Sequence, residues 1–79
     1  MTEEKKTFQT SDLFLAAYLK GLEFELIDVI KNEAKITFCF KDKENRKQFI
    51  LDYYNAKGSI EPLKFTRAQR ELKGVIFNI

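Results

Sequence analysis

The chain has 79 residues, with no histidine, no tryptophan and one cysteine. That removes the commonest general base and metal ligand, and any disulfide within the chain. Hydrophobic residues make up 44%, eight of them phenylalanine, and the net charge is +2, so one small domain with a real core is expected rather than a disordered chain.

The charge is unevenly spread. Residues 1–34 carry seven acids against four lysines, a net of −3, and residues 35–79 carry ten bases against five acids, a net of +5. Such polarity suits steering an anionic partner toward one end of the molecule.

Met1-Thr2-Glu3-Glu4-Lys5-Lys6 is charged on both signs with no apolar stretch behind it, unlike a signal peptide. No apolar run approaches the roughly 18–20 residues that span a bilayer. Together with the lone Cys39, this points to a soluble, cytoplasmic protein. Residues 1–9 read as a flexible lead-in to a single domain at 10–79, with Thr7-Phe8-Gln9 available as an edge strand.

Leu13-Phe14-Leu15-Ala16-Ala17-Tyr18-Leu19 is apolar on every side of a helical wheel, where a surface helix would show one stripe. It is either the buried centre of the fold or a helix that touches the core on one side and a partner on another. Thr10 or Ser11 suits its N-cap, Asp12 its first turn, and Gly21 the left-handed position that ends helices.

A hairpin follows. In Phe24-Glu25-Leu26-Ile27-Asp28-Val29-Ile30 the alternation puts Phe24, Leu26 and Ile30 on one face, Ile27 and Val29 on the other. In residues 34–41 it is clean: Ala34, Ile36, Phe38 and Phe40 face inward, Lys35, Thr37, Cys39 and Lys41 outward. The turn is expected within Lys31-Asn32-Glu33, and the short connection implies antiparallel pairing.

Asp42 suits the N-cap of a second helix at 43–55, with a stripe of Phe49, Ile50, Tyr53 and Tyr54. Pro62 suits the first turn of a third, in which Phe65, Ala68, Leu72, Val75 and Ile79 recur at alternating spacings of three and four. Gly74 either interrupts this helix or ends it and leaves 75–79 extended; the continuous helix is preferred. The expected fold class is α+β, in the order α-β-β-α-α, with the antiparallel hairpin packed against the first and third helices.

Catalytic constellations are missing from the sequence: no Cys/His pair, no phosphate-binding glycine loop, no CxxC. Of the carboxylate pairs Glu23/Glu25 and Asp42/Glu44, the first reads as a solvated edge, a domain this small has little material to build a cleft around either, and Cys39 reads as a small, semi-buried residue rather than a nucleophile. No metal, cofactor or small-molecule ligand is implied, and the chain is not expected to be an enzyme.

Two binding classes remain. Apolar residues left over once one core is filled mark a protein interface, including a homodimer: Phe14 and Tyr18 on the first helix, Ile27 and Val29 on the first strand, and Phe77. The alternative is nucleic acid, contacted through Lys43, Arg46 and Lys47 on the second helix and Lys64, Arg67, Arg70 and Lys73 on the third, with Glu61 and Glu71 diluting the last set. The strand Lys35–Phe40 lacks the glycines of RNA-recognition strands, and its Phe38 and Phe40 fall on the core face.

Three stretches carry a family resemblance: Thr10 to Leu19 with its Ser11-Asp12-Leu13-x-Leu15-Ala16-Ala17 opening, Val29 to Phe40, and Asp52-Tyr53-Tyr54-Asn55 followed by Pro62-Leu63-Lys64-Phe65 and Glu71-Leu72-Lys73-Gly74-Val75-Ile76. Over residues 7–77 the chain resembles a group of small bacterial and phage-associated proteins known only as a domain of unknown function. The resemblance carries no functional residues. It implies an accessory protein of a genetic element rather than a metabolic enzyme.

Overall fold

The computed structural model describes residues 7–78. Six elements follow one another: β1 (Thr7–Thr10), α1 (Leu13–Gly21), β2 (Leu26–Asn32), β3 (Lys35–Lys41), α2 (Arg46–Tyr54) and α3 (Pro62–Asn78). The domain is α+β, with the β2–β3 hairpin packed against the helices as expected. The sheet gains a third strand, in antiparallel order β1-β3-β2. Of the expected lead-in, residues 1–6 lie outside the described residues. Thr7–Thr10 pairs along β3, setting Phe8 opposite Phe40 and Thr10 opposite Phe38.

That pairing moves the start of α1. Thr10 is held in the ladder, so Asp12 is the N-cap, accepting from the N–H of Phe14 at 2.9 Å and of Leu15 at 3.2 Å. Thr10 Oγ1 accepts from the Asp12 N–H instead. Gly21 is still helical, and the left-handed residue beyond is Glu23 (φ 70°), with Phe24 N–H donating to the Leu19 carbonyl. Gly21 lies against Ile60, whose terminal methyl would have to shift to admit a Cβ there.

The largest departure from the expected pattern is in β2. Leu26 faces Phe40 and Val29 faces Phe38, so three steps along β2 match two along β3, with the extra residue accommodated by a bulge between Leu26 and Asp28. The inserted residue reverses parity. Val29 joins Leu26 on the core face and is half-buried, and Ile30 turns to the opposite face with Gln9 and Asp28, all exposed. The turn is Glu33-Ala34, after the Asn32–Lys35 pair, with Glu33 itself left-handed (φ 57°).

α2 begins at Arg46, three residues later than expected. Asp42 does not cap it: its carboxylate accepts from its neighbour Lys43 N–H and from the Arg46 guanidinium at 3.1 and 3.2 Å. Tyr54, expected in the buried stripe, is 64% exposed. α3 runs unbroken to Asn78, with Pro62 at its first position and the Glu61 carboxylate accepting from the N–H groups of Leu63 and Lys64.

The core consists of Leu15, Ala16, Ala17, Tyr18, Leu19, Phe24, Phe38, Phe40, Ala68 and Leu72. Five consecutive α1 residues are buried, because α1 packs on both α3 and α2 and near β1. Its all-round apolar character is that of a central helix, and Ala16 and Ala17 keep its neighbours close. Phe14, 56% exposed, is the exception.

Candidate protein-interaction surface

α3 divides cleanly into two sides. Phe65, Ala68, Leu72, Val75 and Ile76 turn inward, buried or half-buried. On the opposite side Leu63, Arg67, Arg70, Gly74 and Phe77 recur at spacings of four, three, four and three, which sets them in one outward stripe along the helix. Leu63 is 69% and Phe77 87% exposed. At 1.5 Å rise per residue, these two apolar ends stand about 21 Å apart.

Bases occupy the ground between them. Arg67, Arg70 and Lys73 are exposed, and Lys64 lies at the flank. The two acids that should dilute this charge point elsewhere. Glu61 caps the first turn of α3, and Glu71 pairs with Lys20 of α1 at 3.4 Å. Gly74 interrupts the stripe with bare backbone, and nothing lies within 4 Å of where its Cβ would stand. Beside it an open groove of about 780 Å³ runs between Gly74 and Val75 on one side and Phe24 and Leu26 on the other.

The remaining sequence candidates scatter. Tyr18 belongs to the core, 4% exposed, its ring 5.1 Å from that of Tyr53 and its hydroxyl over Gly58. Burial is the main cause that raises its pKa, with the Asp52 charge second. Val29 is turned to the core face by the bulge and is half-buried. Ile27 is 45% exposed at the bulge and lines an open pocket with Val75 of α3.

The bases of the second helix region are partly tied down. Lys43 sits over the Phe24 ring at 4.6 Å and donates to the Glu23 carbonyl. Arg46 covers the Phe8 ring at 4.6 Å while bonded to Asp42. Lys47 is exposed, next to Leu51 and Tyr54 on the outward side of α2. α2 and α3 share little contact. Leu63 escaped the sequence reading, although its spacing of fourteen from Phe77, two heptads, was present in the sequence.

Cys39 lies mid-strand between Gln9 and Asp28 and is 5% exposed. Burial pushes its thiol pKa up, with the Asp28 charge adding to the shift, the reverse of what a nucleophilic thiol needs. Among the described residues no three acidic or cysteine side chains cluster so as to hold a metal ion, and no helix is long and apolar enough to cross a membrane.

The fold is thus a small α+β domain with a three-stranded sheet, three helices and one outward basic-apolar stripe on α3. The chain belongs to the family described as Domain of unknown function (DUF5659), whose model matches residues 5–78. No significant match was found among curated proteins or solved structures.

Proposed function

We propose that the chain is a non-enzymatic binding module that acts through protein–protein contact, with the outward stripe of α3 as its principal surface. The observation that carries this reading is the exposure of Leu63 and Phe77 on the same line of a helix whose other side packs on the core through Phe65, Ala68, Leu72 and Ile76. Two large apolar side chains held 87% and 69% open by rigid helix, and aligned with each other, are suited to anchoring a partner. The bacterial or phage accessory setting and the cytoplasmic location implied by the sequence belong to the same proposal.

Self-association is part of it, with a limit set by charge. Two copies joined along α3 would bring Arg67, Arg70 and Lys73 of each against those of the other. A homodimer would therefore use other exposed apolar residues, such as Phe14, Leu51 and Tyr54. The test is co-purification of the tagged chain and of its Leu63→Ala/Phe77→Ala variant. At least one protein retained by the parent should be lost from the variant. Identical profiles, or retention that nuclease treatment removes, would count against the reading.

The second reading is nucleic acid, favoured by the withdrawal of Glu61 and Glu71 from the basic stripe. Its signature is a steep fall of DNA or RNA affinity with salt, flattened in Arg67→Ala/Arg70→Ala. Absence of any shift at low salt would eliminate it.

A further inference from the structure

Resting on the protein-binding reading, we infer that the partner of the α3 stripe is an acidic amphipathic helix of a different protein, with apolar anchors at its two ends and carboxylates between them. Three observations select this occupant. The stripe is apolar at Leu63, basic through Arg67 and Arg70, and apolar again at Phe77, so its complement carries the same order with the opposite charge. Of the neighbouring acids, Glu61 is engaged on the helix cap and Glu71 on Lys20, so neither neutralises the bases from within, and Glu25 stands across the groove beside Gly74. The open space over Gly74 then lets a partner backbone approach α3 more closely than any side chain would permit.

The same features argue against the other occupants. A second copy meets like charge in either helix direction. A nucleic-acid backbone answers Arg67, Arg70 and Lys73 but gives no role to Leu63 and Phe77. An acidic helix of about four turns spans the roughly 21 Å between the anchors and satisfies both sets.

The test is fluorescence anisotropy on the full chain with labelled helical peptides. One has two leucines spaced as Leu63 and Phe77 are and glutamates on the intervening face. The second is a scramble of the same composition, the third has lysine for every glutamate, and a duplex DNA is the fourth probe. The acidic amphipathic peptide should bind at least about tenfold more tightly than its scramble. Leu63→Ala and Phe77→Ala, both at exposed positions and checked for fold by circular dichroism, should each weaken it about tenfold, and Arg67→Ala/Arg70→Ala by more. Equal binding of the scramble would overturn the inference, since charge alone would then suffice. Binding of the lysine peptide, lost in Phe77→Ala, would overturn the acidic partner and leave the protein-binding reading standing. Binding of the duplex alone would overturn both, and binding of none of the four probes would overturn the acidic helix as partner.

Discussion

Single residues set the tolerances of this fold. Gly58 lies directly beneath the Tyr18 hydroxyl, so a Cβ there would strike the phenol. Tyr18 is itself fixed by burial and by Tyr53. Gly58→Ala should destabilise the domain by about 1–3 kcal/mol, read from the urea midpoint. Gly74→Ala should do the reverse, because its Cβ meets open space and alanine is the better helix former by about 1 kcal/mol. An unchanged midpoint in both would remove the spatial distinction between the two glycines. The phenols of Tyr18 and Tyr53 have raised pKa values, chiefly from burial. A folded-state pKa above the unfolded one means that the native chain holds its proton longer. The stability this gives is complete below about pH 10 and is lost as pH rises through the folded values. Alkaline unfolding should therefore move to higher pH in Tyr53→Phe.

At the scale of elements, α1 is the keystone. Its residues Leu15 to Leu19 are enclosed by α2, α3 and the sheet. Leu19→Ala should cost about 2–5 kcal/mol, and α1 amides should exchange with solvent only through global unfolding, whereas the four-residue β1 exchanges through local opening. Exchange of α1 as fast as β1 would contradict this order. Much of the element plan was legible in the sequence: the apolar Leu13–Leu19 run, the alternation through Phe38 and Phe40, and the continuation of the last helix past Gly74. The rest turned on interactions that spacing does not show. The bulge at Leu26/Asp28 has no glycine to announce it, and it alone decides that Val29 faces the core and Ile30 does not. The late start of α2 follows from Asp42 engaging Arg46 and its own neighbour's N–H rather than the first turn. The basic residues of α3 could be read from their spacing. Only the folded chain shows that Lys20 draws Glu71 aside and that Tyr18 is closed off by Tyr53.

For the whole molecule, the core and the proposed contact surface are separate sets of residues. The inner side of α3 holds Ala68 and Leu72 against α1, and the outer side holds nothing in place. Surface changes away from caps and core are worth within about 0.5 kcal/mol, so Leu63→Ala/Phe77→Ala should leave the unfolding midpoint nearly unchanged while altering binding. The most direct measurement is site-specific photo-crosslinking in cells, with the reactive group placed in turn at positions 77, 70 and 30, the last on the far face of the sheet. A discrete protein adduct is expected from positions 77 and 70 and none from position 30. Adducts from position 30 alone, or only nucleic acid captured from the α3 positions, would contradict the proposed contact surface.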